Sequence, residues 1–191
     1  VIIIVAVITL VIYKDYNKET KKESLDWKNS YLEILKDKDN FKGVSDIELQ
    51  ICDLDRDEIP EFIVYGKKDS NNKILAKIYK INEEEKLDTL QFELNEDFTM
   101  KFLYNNQESF FSWYIVTESD KLYDIKIEKK NYEIEKSDYD YKEFENVDVP
   151  EKISFDLEED KPKDIIKEVK ESYNDITKKY KKAEKELSNK N

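Results

Sequence analysis

The sequence predicts an α+β domain in which an antiparallel meander sheet is flanked by an N-terminal helix and a long C-terminal helix, with a membrane anchor segment ahead of them. Three observations carry that prediction. Apolar residues fall two apart through much of the middle of the chain, they fall three and four apart on either side of it, and the chain opens on an uncharged apolar run. A length of 191 residues suits one domain with appendages.

Val1 to Tyr13 reads VIIIVAVITLVIY, and Lys14-Asp15 follow at once. A membrane span takes ~20 apolar residues, and a helix of this run reaches about 20 Å. Residues 1–13 are therefore expected to be a truncated signal anchor whose start lies upstream of Val1. No small-x-small cleavage pattern precedes Lys14, which argues against a removed signal peptide. Residues 14–23, KDYNKETKKE, are polar and unpatterned, and read as a spacer.

The expected domain spans 24–160. Ser24 looks like the N-cap of a helix running to about Lys36, because Trp27, Tyr31, Ile34 and Leu35 form one apolar stripe. The stretch from Asp37 to Ser45, which contains Gly43, ends it. From Asp46 the period becomes two, at Ile47, Leu49 and Ile51, at Leu90, Phe92 and Leu94, at Tyr123, Ile125 and Ile127, and at Tyr132 and Ile134. Phe62–Tyr65 and Phe110–Val116 are apolar on both faces, as strands covered on both sides are. The turns at 67–73, 118–121 and 129–131 are short and polar, so neighbouring strands are expected to be antiparallel. An edge strand or irregular wrap is expected over 137–160, where Tyr139, Tyr141, Phe144, Val147 and Val149 are scattered among acids.

Residues 161–191 return to a helical period, with Ile166, Val169, Tyr173, Ile176, Tyr180, Ala183 and Leu187 spaced as heptads. Two Tyr and one Ala make a weak zipper seam. The expected outcome is an amphipathic helix packed on the sheet.

Composition narrows the chemistry. The chain has no His and one Cys, which excludes His-based triads, Cys–His dyads and the usual zinc sites. Two glycines, Gly43 and Gly66, cannot form a P-loop or a dinucleotide fingerprint. Residues 24–160 carry 19 basic and 36 acidic side chains, a balance of −17. Such a body repels phosphate backbones, so no nucleic-acid partner is expected. Cys52 cannot close an intrachain disulfide and reads as a small core or strand residue.

One segment carries a chemical pattern. ICDLDRDEIPEFIVYG, residues 51–66, places Asp53, Asp55 and Asp57 at alternate positions and Glu61 four further on. In a tight loop alternate side chains converge, and a hard divalent cation takes six to eight oxygens at about 2.3–2.6 Å if it is calcium. The Ile59 carbonyl and water would complete the set. Pro60 biases Ile59 toward an extended conformation and suits the start of a strand.

DLDRDEIPEFIV resembles the D-x-D-x-D-G-x-x-D/E calcium loops of FG-GAP and VCBS-type repeats. It is most similar to the acidic D-x-D-x-D-G-I-P-E-L segment of uncharacterised surface or secreted proteins of low-G+C Gram-positive bacteria. In those proteins an N-terminal anchor and a W-x-x-x-Y helix precede the loop, as Trp27 and Tyr31 do here. The resemblance covers about residues 24–66. It implies side-chain ligation by Asp53, Asp55, Asp57 and Glu61 and backbone ligation by Ile59. The chain departs from the pattern at Glu58, where the glycine normally stands.

The expected function follows: a non-enzymatic, single-pass, monomeric domain displayed outside the cell membrane, with one structural calcium loop and an unknown protein or cell-surface ligand. An inhibitor or immunity-type protein, docking its acidic body on a basic enzyme, is the alternative. A carboxylate-based glycoside hydrolase ranks below both, because no spacing marks a catalytic pair.

Overall fold

The apolar stripe that begins at Trp27 forms the first helix of the computed structural model. The structure describes residues 26–82, 86–105, 107–108, 110–128, 131–147 and 152–188. The apolar run 1–13, the spacer 14–23, the expected N-cap Ser24, the turn at Lys129-Lys130 and Val149 lie outside the described residues. Helix α1 covers Trp27–Lys36 and α2 covers Pro162–Ser188. Asp26 flanks the start of α1, but its carboxylate accepts from Asn29 Nδ2 at 2.7 Å and caps no backbone N–H. After α1 comes a short 3-10 turn, Lys38–Phe41, and then Gly43 at φ +76°, a conformation that costs glycine little.

Among the described residues ten strands follow in chain order: β1 (Val44–Cys52), β2 (Glu61–Lys68), β3 (Ile74–Ile81), β4 (Leu87–Leu94), β5 (Phe98–Asn105), β6 (Phe110–Thr117), β7 (Leu122–Glu128), β8 (Asn131–Lys136), β9 (Phe144–Val147) and β10 (Ile153–Ser154). They make two five-stranded antiparallel sheets, ordered β10-β1-β2-β3-β4 and β8-β7-β6-β5-β9. The single sheet expected from the sequence is thus corrected to two, each a four-stranded meander with one later strand added at its edge. The chain changes sheets between β4 and β5. Strongly twisted sheets seldom grow long without splitting, and here the split gives β2 a cover on each face.

That cover explains the doubly apolar strand. Phe62 and Val64 of β2 face the helices, in a core with Tyr31, Ile34, Leu35, Leu49, Ile51, Tyr79, Ile165, Ile166, Val169 and Ile176. Ile63 and Tyr65 face the second sheet, in a core with Ala76, Ile78, Phe98, Met100, Phe102, Trp113 and Ile115. Burying each large apolar side chain stabilises by about 1.5–3 kcal/mol. The described heptad face of α2 packs on the first sheet and on α1, where Trp27 meets Tyr173 edge to face at 5.9 Å, and Tyr180 reaches Phe102 and Trp113 of the second sheet at 4.4 and 5.4 Å.

One buried polar side chain fixes how the sheets sit on each other. Gln50 of β1 donates to the Met100 carbonyl at 2.9 Å, while its Oε1 accepts from Tyr65 Oη at 2.6 Å and from the Met100 N–H at 3.1 Å. Every partner is supplied, so burial of the amide is compensated. Cys52 is a free buried cysteine at the end of β1, its thiol pushed up by burial and then by Glu61 and Asp53.

The outer face of the second sheet carries Leu103, Tyr114, Val116 and Leu122, covered by Tyr139, Tyr141 and Phe144. The described part of 137–160 is an irregular wrap, a short 3-10 turn at Tyr141–Glu143 capped by Asp140, and the edge strands β9 and β10. Among the described residues no helix is long and apolar enough to cross a membrane.

Candidate metal centre

The connection from β1 to β2, residues 53–60, is the acidic segment singled out by its spacing. Two of its residues adopt left-handed backbone, Arg56 at φ +62° and Glu58 at φ +69°. These reversals keep the loop tight. Carboxylate oxygens of Asp53, Asp55 and Glu61 come within 4.8 Å of one another. Asp57 stands beside them: its Oδ1 accepts the Ile59 N–H at 2.8 Å, and its Oδ2 lies 3.7 Å from Lys80 Nζ. Ile59 packs against the helix-side core.

Glu61 begins β2 and is fully buried; its Oε2 accepts the Leu54 N–H at 2.6 Å. Burial is the largest influence on its carboxyl and pushes it up to about 8, helped by Asp53 and Asp57 and opposed by the Leu54 N–H. Burial also raises Asp53, with Asp57 adding to the shift and the backbone N–H groups of Glu58, Arg56 and Asp57 pulling it back. Two buried oxygens, Asp53 Oδ1 and Asp55 Oδ1, have no hydrogen-bond partner. Carboxylates about 4 Å apart repel by ~1 kcal/mol per pair in water and by ~4 kcal/mol near protein. Buried, mutually repelling, partly unsatisfied oxygens are what a hard cation relieves.

A cation is already at hand. Phe62 pairs with Tyr79 across β2 and β3, and Lys80 follows Tyr79. Its ammonium contacts Asp55 Oδ2 and lies 3.4 Å from Glu61 Oε1. Lys80 lies 19 residues beyond Glu61 in the chain, and strand register brings it to the loop.

Three aromatic side chains from three other elements grip the loop's backbone. Tyr31 of α1 donates to the Pro60 carbonyl at 2.5 Å and sits 3.3 Å from the Tyr79 carbonyl, with its ring stacked on Phe62 at 5.1 Å. Tyr173 of α2 donates to the Glu58 carbonyl at 3.2 Å. Trp113 of β6 donates from Nε1 to the Asp53 carbonyl at 2.9 Å. The loop is therefore positioned by both helices and both sheets. A cleft of about 340 Å³ lies behind it, with Asp53, Arg56, Phe102, Trp113 and Tyr180 among its walls.

No family model, no curated protein and no solved structure matches the chain.

Proposed function

We propose that the chain is a non-enzymatic recognition domain, held at the cell membrane by its apolar N-terminal run and displayed outside, whose acidic loop takes one calcium ion as a structural clamp. What carries the cation reading is the convergence of Asp53, Asp55 and Glu61 within 4.8 Å at a loop held by aromatic donors from three elements. All the side-chain donors are carboxylate oxygens, which favour a hard ion over zinc or copper. Calcium suits an irregular, partly backbone-lined site better than magnesium, which demands near-ideal octahedral geometry. The ion would tie the end of β1 to the start of β2, directly under both helices. Its chemistry is charge neutralisation. The site residues hold backbone and carboxylates in place and move no proton.

Terbium tests this reading, since it substitutes for calcium among oxygens and its emission is sensitised by nearby Trp and Tyr. The full chain, kept in mild detergent for its apolar run, is titrated with terbium. A saturable single-site signal that calcium competes away and Asp55→Ala abolishes is the expected result. A weak, non-saturating signal identical in the variant would defeat the reading.

The inhibitor-type alternative is favoured by one observation. The larger groove, about 670 Å³, runs beside β1 and β10; Asp46, Glu48, Asp97 and Asp156 line it with Lys67, and Lys152 pairs with Glu48 at 2.9 Å and with Asp97 at 2.8 Å. Such a groove suits a basic segment of a partner. Salt-sensitive binding of an oligolysine probe, lost in Asp46→Lys with Asp156→Lys, would support that reading, and absence of binding would remove it.

A further inference from the structure

We propose that the outer edge of β4 pairs antiparallel with β4 of a second copy of this chain, joining two first sheets about a two-fold axis. This departs from the monomer expected of the sequence and does not rest on the cation reading. β4 ends its sheet: among the described residues it pairs with β3 alone, in unbroken register along its length. The Asn82 N–H bonds the Lys86 carbonyl at 2.8 Å, and the register carries such bonded pairs on by twos to Asp88, Leu90, Phe92 and Leu94. The backbone N–H and C=O groups of Leu87, Thr89, Gln91 and Glu93 therefore point away from β3, along the plane of the sheet. A row of such groups is a template for another strand. The other sheet edges are blunted. β10 has two residues, β9 has four, and β8 carries exposed Glu133, Glu135 and Lys136. β4 has eight residues and no Lys, Pro or bulge.

Charge and register select a second copy as the occupant. Each copy carries a net charge of −12, so self-pairing needs an edge whose acids are already answered. Both acids of β4 are: Asp88 accepts from Asn82 Nδ2 at 2.9 Å, and Glu93 pairs with Lys68 at 2.5 Å. A basic segment would find little charge left to bind. Two-fold pairing makes residue i face j while j faces i. With Gln91 on the axis it faces Gln91 of the second copy, Thr89 faces Glu93, Leu90 faces Phe92 and Asp88 faces Leu94. No acid then faces an acid, and the outward backbone groups of Thr89, Gln91 and Glu93 meet in bonded pairs. The same register joins apolar surface. Leu90, Phe92 and Leu94 are half-buried at the rim of the core between the two sheets. Laid beside the same row of a second copy, they extend that core across the axis.

Sedimentation equilibrium of the full chain in mild detergent, at micromolar concentrations, compares wild type with Gln91→Pro and Gln91→Lys. Proline removes an N–H that β3 does not use, so the sheet keeps its own bonds. Lysine keeps the N–H and sets like charges against each other on the axis, and it decides the question should proline prevent folding. Gln91→Cys reads the register: facing its own copy, its Cα atoms stand about 5.5 Å apart, within disulfide reach, while Cys52 is fully buried. The expected result is a wild-type dimer, association at least tenfold weaker in the proline and lysine variants with unchanged far-UV circular dichroism, and a disulfide-linked dimer on mild oxidation of Gln91→Cys but not of the control Ser70→Cys. A wild-type monomer would overturn the proposal. So would a dimer that both variants leave intact, which would assign association to another part of the chain. A dimer weakened by the variants but never cross-linked through Gln91→Cys would overturn the register.

Discussion

Replacing Glu58 by glycine removes a strain that the acidic loop carries, and the gain can be worked from the backbone. Glu58 sits at φ +69°, in the left-handed region, where a residue with a Cβ costs roughly 1–2 kcal/mol. Glycine relieves that cost but takes back roughly 0.5–1 kcal/mol through the freedom it adds to the unfolded chain. Taking the middle of each range, the net stabilisation is about 0.75 kcal/mol. Little else changes, because the side chain is exposed and Tyr173 bonds the backbone carbonyl, which glycine keeps. At ~2–4 °C per kcal/mol for a chain of this size, Glu58→Gly should melt about 1.5–3 °C higher. Glu58→Ala is the control: it removes the same charge and retains the Cβ, so the strain stays. Thermal and urea unfolding of the three proteins, with a common denaturant slope, make the comparison. A glycine variant no more stable than wild type, or one matched by alanine, would refute the assignment of strain to this position.

Two further predictions concern other contacts. Tyr31→Phe keeps the ring stacked on Phe62 but deletes the donor to Pro60, leaving a buried carbonyl short of a partner; urea unfolding should show a loss of about 1–3 kcal/mol, and a loss under ~0.3 kcal/mol would refute the clamp. Glu96 accepts from Lys121 Nζ at 2.5 Å and from the Ser119 side chain, which together lower its carboxyl from 4.5 to about 2. Because the folded value is depressed, the contribution to stability is present above the ordinary value of 4.5 and is lost as pH falls through about 2. An NMR titration should find Glu96 still ionised at about pH 3, and a midpoint at its ordinary value would contradict the pairing.

Periodicity makes much of this fold readable from sequence. The stripe from Ile166 through Tyr180 marks the face of α2, and Phe62–Tyr65 marks a strand with a cover on each side, as the two cores on either face of β2 show. β3 is harder to see: Leu75, Ala76, Ile78 and Tyr79 are all buried, so burial on both faces erases the two-residue period. β5 does alternate at Phe98, Met100 and Phe102 before both faces are buried from Phe102 to Asn105, a signal that composition alone does not single out. The division into two sheets has no local signature, since one long meander and two stacked ones demand the same alternation and the same short turns. It shows only in which faces meet, as where Gln50 of β1 reaches Met100 of β5. The acidic loop is legible in part because its spacing is local: Asp53 and Asp55 converge with Glu61, while Asp57, at the next alternate position, falls outside that cluster and accepts the Ile59 N–H. Lys80, Trp113 and Tyr173 are not legible, because each reaches the loop through register or packing from an element distant in sequence. Trp27 and Tyr31 lie between. Their spacing marks a helix face, but the donation of Tyr31 to Pro60 emerges only once α1 lies across the start of β2.

The proposed cation would tie the end of β1 to the start of β2. Thermal melts of the full chain in millimolar calcium and in chelator, for wild type and Asp55→Ala, test it most directly. Calcium at tenfold its dissociation constant stabilises by about 1.4 kcal/mol, a rise of ~3–6 °C at this size. Wild type should show that rise and Asp55→Ala should not. Identical wild-type midpoints in calcium and in chelator would contradict it.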